Sequence, residues 1–502
     1  MEALALLGGT AGAASTAAEP PAAPRQESPA PLWESHGGRG TGLTRRRLAQ
    51  VGGALAAEMG LVAAAACGTP GNGGGSTAPP AALAGQITWF MRASGAELQW
   101  EQAAVNAFKQ QTPSVTVDLE TVSTSSEFDP KLTALIAGGT PPDVWTHWGQ
   151  SGFGDYYVKG LLREMQSYIS RDKLDMAPYY AGVHDAWKKD GKLYGLSFNQ
   201  RFGTFVYFNR QLFQQAGVQP PPVDWEDRSW TWDRMVEAAR KIARPAGKIW
   251  GFAAGAQPRT WGMAYLFGGD FFTKEHYQKG IAKESNIGSP EVLAAMQAES
   301  DLINKLALWP KADDVRAALG TSSTDYSVLF ANGGLAMLYD TGSEWASKID
   351  PVAQFDWGIA AAPRMKDNKN INFINPLVLS RESKNPEAAW VFIKFHVTEP
   401  GQRLLTQFAF QPVLKALLDD WLRSSKMKQP PADVKKAIEG AAPHTQIGPN
   451  QIMADFQPVR TAVDESLAPV WAGQKSAADA LREAKQKVDA ILAETYAKYG
   501  GR

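Results

Sequence analysis

An α/β fold in two lobes is what this sequence predicts, and three local patterns carry the prediction. The segment Ile87-Thr88-Trp89-Phe90 reads as a short buried strand. From Glu97 to Gln110 the apolar residues Trp100, Ala104, Ala107 and Phe108 recur at helical spacing, and Val115-Thr116-Val117-Asp118-Leu119 alternates apolar and polar as a strand does. Strand, helix and strand at this spacing make a βαβ unit. The opening lobe is therefore expected to hold parallel strand pairs with flanking helices, its working edge at the carboxyl ends of the strands. From Gln86 to Arg502 roughly 400 residues remain, enough for more than one core.

The first 85 residues are expected to stay outside that fold. Cys67 is the only cysteine, and it ends the apolar stretch Leu61-Val62-Ala63-Ala64-Ala65-Ala66. Upstream, Thr44-Arg45-Arg46-Arg47-Leu48 gives the charged-then-apolar order of an export signal with a twin-arginine flavour. Small residues at Ala64 and Ala66 suit a signal peptidase, and the Cys67 thiol can take a lipid before cleavage. Glu58, Gly52, Gly53 and Gly60 leave the segment short of the ~20 apolar residues a permanent span needs. The expected order is a leader with lipoprotein signal over 1–66, then a flexible tether over 67–85, whose Asn72-Gly73-Gly74-Gly75-Ser76 run is rich in small residues. The mature chain would hang from the outer face of the cytoplasmic membrane.

Composition narrows the partners. The 51 basic and 51 acidic residues cancel, so no basic footprint argues for nucleic acid. A single cysteine rules out a disulfide scaffold and a cysteine-based metal site. His147, His184, His276, His396 and His444 are scattered, and no zinc motif, nucleophile turn or phosphate loop is present. No cofactor or metal is expected.

Further along, Thr231 is placed to cap a helix whose Met235, Ala239 and Ile242 share a face. Asn385-Pro386-Glu387 reads as a cap, a first-turn proline and a dipole-matching acid. From Ser476 to Leu492, Ala477, Leu481, Ala484, Val488 and Ile491 make one apolar face of a packed helix.

Several separated blocks resemble the family 1 extracellular solute-binding proteins, the sugar-capturing subunits of ABC importers, to which maltose-binding protein is related. Gly191-Lys192-Leu193-Tyr194-Gly195-Leu196-Ser197-Phe198 with Phe205-Val206-Tyr207-Phe208-Asn209-Arg210 is similar to that family's "GKLYGLPF … YYNK" block. Leu212-Phe213, Ala216-Gly217-Val218, the prolines 220–222 and Ser229-Trp230-Thr231-Trp232-Asp233 continue it. Phe330-Ala331-Asn332-Gly333-Gly334-Leu335-Ala336-Met337 and Ser383-Lys384-Asn385-Pro386-Glu387-Ala388-Ala389-Trp390 are similar to two later blocks. The departures are Ser197, where a proline is usual, and the cation Arg201 near the expected crossing between lobes.

The resemblance implies an α/β, two-lobed periplasmic-binding-protein-like fold (type II), with mixed sheets flanked by helices and hinge strands between the lobes. Its expected organisation is lobe 1 over 86–200, lobe 2 over 201–372, a return to lobe 1 over 373–412 and C-terminal helices on lobe 2 over 413–502. The chain would cross near Asn199 to Gly203 and again near Asn370 to Leu377. The implied function is a non-catalytic, monomeric binding subunit that closes on a carbohydrate and delivers it to ABC permease subunits.

A sugar offers hydroxyls at its edge and C–H patches on its faces, so a site for it needs flat aromatics and polar side chains. Trp145, His147 and Trp148 follow the Pro141-Pro142-Asp143 turn at an expected strand end; the turn's Asp143 is expected to be scaffold. Trp345, Trp261 and Phe456 fall at matching aromatic positions. Trp100, Trp390 and Trp421 lie on helical apolar faces and are expected in the core. Ser94, Glu97, Asn199, Arg201, Asp270, Asp340 and Asn375 are the polar candidates. Three other readings stand beside this one. Two of Glu97, Asp270, Asp340 and Glu344 would serve a glycoside hydrolase. Arg201 and Arg259 would hold a sugar phosphate or other anion. The same fold would also suit a sensor.

Overall fold

The structure is a computed structural model and describes residues 83–500 apart from 148–151, 202, 256–258 and 343–347. The leader, Cys67 and most of the tether lie outside the described residues.

The predicted βαβ unit opens the fold. Strands β1 (Gly85–Arg92) and β2 (Val115–Val122) pair in parallel, joined by the helix Ala96–Gln111, which turns Trp100, Ala104 and Phe108 inward. The helix Ser125–Ala137 starts in a capping box between Thr124 and Glu127, and leads to β3 (Val144–His147), parallel to the other edge of β1. Asp143 is scaffold: its carboxylate accepts the Thr88 N–H at 2.9 Å and the Ser383 hydroxyl at 2.5 Å.

The short hairpin β4 (Lys188–Lys189) and β5 (Lys192–Leu193) leads into β6 (Leu196–Arg201). Ser197, the departure from the resembled block, is bonded three ways. Its hydroxyl accepts the Trp187 Nε1–H at 2.6 Å and donates to the Val183 carbonyl at 2.6 Å, and its N–H donates to His184 Nδ1 at 3.0 Å. A proline there would forfeit all three.

Within three residues the chain leaves β6 and enters β7 (Thr204–Asn209) of a second sheet, with β8 (Trp250–Ala254), β9 (Leu335–Thr341) and β10 (Trp357–Ala360). Its order is β10-β7-β9-β8, with β8 and β9 parallel. The chain returns through β11 (Asn370–Leu379), and β12 (Thr445–Ile447) completes the first sheet, ordered β12-β11-β3-β1-β2 with β6 also on β11. All ten residues of β11 are buried. Its pairing with β6 shifts register between Asn375 and Pro376, where proline has no N–H for the ladder.

Thr231 caps the helix Trp232–Ile242 by accepting the Arg234 N–H, and Met235, Ala239 and Ile242 are buried as their spacing requires. Asn385 departs from expectation: its side chain does not cap the helix Pro386–Val397 but donates to the Gln86 carbonyl at 2.9 Å, tying the helix start to β1. The last helix runs Ala477–Tyr499, longer than predicted, and buries Leu492 while Ile491 stays half-buried. It packs with the helix Phe456–Trp471, and against the helix Pro290–Ser300 of the chain between β8 and β9. Val413 and Leu414 are still bonded to Tyr180 and Tyr179, beside the first sheet. No described helix is long and apolar enough to cross a membrane.

Candidate functional site

Because β1, β2 and β3 are parallel, their carboxyl ends share one edge. There Arg92 stands opposite His147 in register, and its guanidinium pairs with Glu97 at 3.0 Å. Ser94 is exposed between them, its carbonyl accepting the Glu97 N–H. The polar candidates Ser94 and Glu97 therefore lie together, with Arg92 as a neighbour not anticipated from the sequence.

The parallel pair β8 and β9 makes a second such edge. Gly255 follows β8 against the buried carboxylate of Asp340, and any Cβ at 255 would overlap that carboxylate. Asp340 accepts the Thr341 N–H at 2.8 Å, and the Tyr207 hydroxyl donates to the Thr341 carbonyl. Gly342 N–H donates to the Gly203 carbonyl at 3.0 Å, tying the end of β9 to the crossing beside Arg201.

Aromatics gather beyond β8. Trp261 begins the helix Trp261–Leu266 and meets Phe271 edge-on at 4.8 Å, Phe272 at 5.6 Å and Phe456 at 5.9 Å between ring centroids. Trp261 and Phe456, nearly 200 positions apart in sequence, thus come together. Phe456 follows Met453 and Ala454, whose backbone presses on Gly154 in the helix Phe153–Val158 after β3. The helix after β3 so meets the segment leading to Phe456, and Trp261 and Phe456 themselves are buried, 7 % and 3 % exposed, as core rather than as an open face.

Several candidates are placed elsewhere. Trp145 is 1 % exposed, set edge-on to Tyr156 between the partners Phe90 and Val378, and it is core because an inward position of a central strand leaves its ring no open face. Asn199 and Asn375 are buried and bonded to each other at 2.6 Å across β6 and β11, and Asn199 also donates to the Gln411 carbonyl. They lock the crossing strands together. Arg259 turns into its lobe, its Nε 2.5 Å from the buried Glu299 and its guanidinium over Trp309 and Trp471 at 5.2 and 4.9 Å. An anion fork built on Arg259 would first have to strip it from Glu299.

Asp270 is a junction. Its carboxylate accepts the Phe272 N–H, the Tyr277 hydroxyl and the Gln446 amide, and burial pushes it up to about 6 against those bonds. Trp148, Trp345, Glu344 and the side chain of His147 lie outside the described residues. Trp100, Trp390 and Trp421 are in the core, as expected. Among the described residues no cluster of His, Cys, Asp and Glu could hold a metal ion.

Two sheets with parallel strand edges, joined by crossing strands, make a two-lobed α/β fold. Residues 92–403 match the bacterial extracellular solute-binding proteins, and the chain belongs to that family. It is a family of binding proteins, and the hydrolase reading falls with that membership. The chain is 24% identical over 335 residues to an sn-glycerol-3-phosphate-binding periplasmic protein of Yersinia pseudotuberculosis, covering 64% of this chain and 72% of the relative. Its fold is similar to an ABC substrate-binding protein from Listeria monocytogenes in complex with cycloalternan, with a TM-score of 0.65 at 23% identity over 81% of this chain and 98% of the other. It is also similar to a sugar transporter from Rhizobium etli in an open conformation, with a TM-score of 0.66 at 20% identity over 81% and 100%.

Proposed function

We propose that this protein is an exported, lipid-anchored binding subunit that captures an oligosaccharide between its two sheets and hands it to the permease of an ABC importer. The observation that carries this reading is the polar edge at the carboxyl ends of the first sheet, where Arg92, Glu97 and the exposed Ser94 meet, in a chain of the solute-binding family. Aromatic faces suit the C–H patches of a sugar ring, and charged acceptors suit its hydroxyls. The Listeria complex with cycloalternan supports an oligosaccharide as cargo. Trp148, Trp345 and Arg201 complete the proposed ligand set, Cys67 carries the proposed anchor, and a monomer fits single-cleft capture.

An anionic cargo is the second reading, favoured by the glycerol-phosphate-binding relative. Against it, Arg259 already pairs with Glu299. Titration of intrinsic fluorescence with maltotetraose, cyclic glucans and glycerol 3-phosphate, with product analysis, tests the choice. Saturable change with an intact glucan at ~μM ligand supports the proposal; response to glycerol 3-phosphate alone overturns it.

A further inference from the structure

The sequence Lys188-Lys189-Asp190-Gly191 has the look of a solvated turn, and Asp190 and Gly191 do take positive φ. The Lys189 side chain, however, is fully buried. Its Nζ donates to the Tyr277 carbonyl at 2.8 Å and stands 5.8 Å from the centre of the Phe153 ring. Lys189 comes from the chain between β3 and β6 of the first sheet, and Tyr277 from the helix Lys274–Lys279 between β8 and β9 of the second. The bond therefore joins the two halves of the molecule.

Other contacts cross at the same place. Gly154 meets the backbone of Met453 and Ala454. Val158 packs with Ile281 and Ala454 in a small apolar cluster separate from the main core, flanked by Tyr157, Tyr496 and Tyr499. Gly280, at a φ of +77°, passes beneath Lys189 and Tyr157. The Tyr157 hydroxyl donates to Asp190, and the Tyr277 hydroxyl donates to Asp270, which also accepts Gln446 from β12. A continuous polar path thus runs from the hairpin through Tyr277 to a strand lying against β11.

We propose that Lys189 is a latch between the halves: its buried amine holds the first-sheet half against the second, and breaking its bond to Tyr277 is a step in opening the cleft. Burial draws its pKa down to about 7 against the field of Asp190, as expected of an amine sealed from water. Charged or neutral, Nζ keeps an N–H aimed at the Tyr277 carbonyl, and below about pH 7 the charged donor makes that bond stronger than a neutral one. The inference is independent of which solute the protein binds.

The test is amide hydrogen exchange on the full chain without added solute, comparing wild type with Lys189→Met, which keeps the packing on Phe153, and Lys189→Ala. The facing segments Phe153–Val158 and Gln451–Phe456 are followed, with β1 and β9 as internal standards. The latch predicts about tenfold faster exchange in both facing segments and unchanged exchange in β1 and β9. Unchanged rates in the facing segments would overturn it. So would equal acceleration throughout, which would make Lys189 a stabiliser of the whole fold.

Discussion

Glu299 shows how much one side chain depends on another. It is fully buried, and its bond to Arg259 is its charge-bearing contact. Arg259→Ala would leave that carboxylate sealed from water without its cation and should cost about 3 to 5 kcal/mol in urea unfolding, with Arg259→Lys recovering part of the loss. Trp145 and Trp261 separate by a different measurement. Trp145→Ala empties a core position and should lower stability by about 3 to 5 kcal/mol while leaving glucan affinity near wild type. Trp261 is nearly as covered, among Phe271, Phe272 and Phe456, so Trp261→Ala should lose comparable stability and in addition should weaken glucan binding by about 1 to 3 kcal/mol. Equal loss of affinity in both variants would contradict the placement of Trp145.

At the scale of elements, the sequence was most legible where one period governed a segment. The βαβ opening, the Thr231 cap and the face of the last helix needed only local spacing, and each formed. Trp145 failed for a physical reason: a strand alternates between two faces, and four residues carry no sign of which face a neighbouring layer will cover. The pairing of Asn199 with Asn375 was illegible for another reason, because their bond spans 176 residues and no local pattern announces it. Asn375→Ala should leave the Asn199 side-chain oxygen without its donor inside the crossing strands and cost about 1 to 3 kcal/mol of stability. Gly255 gave no signal at all, since its need for a bare Cα arises only when β9 brings Asp340 against it. Gly255→Ala should reduce solute affinity by displacing that carboxylate, read in the same fluorescence titration.

The whole molecule responds to pH through groups far apart in sequence. Burial draws His184 down to about 3 and His276 and His396 down to about 4. Each stays neutral in the folded chain but takes a proton in the unfolded chain below about 6.5, so their contribution is present above that pH and is lost as pH falls toward the folded values. Asp270, raised to about 6, acts in the opposite sense, gaining its proton first in the folded state. Three histidines against one carboxylate leave a net loss of about 2 to 3 kcal/mol per pH unit between pH 5.5 and 4.5 from these four groups. Urea midpoints measured across that range check the slope; a flat profile would mean that water reaches the histidines.

The position of β11 has a kinetic meaning. The outer edge of β3 finds its partner only in Val378 and Leu379, and the inner edge of β6 only in residues 373–377. As the chain is made from its amino end, both edges wait unpaired until most of the sequence exists. The second sheet has all its strands by Ala360, but the first cannot close until β11 is made, so synthesis and export present a long-lived, half-built first sheet for chaperones to hold.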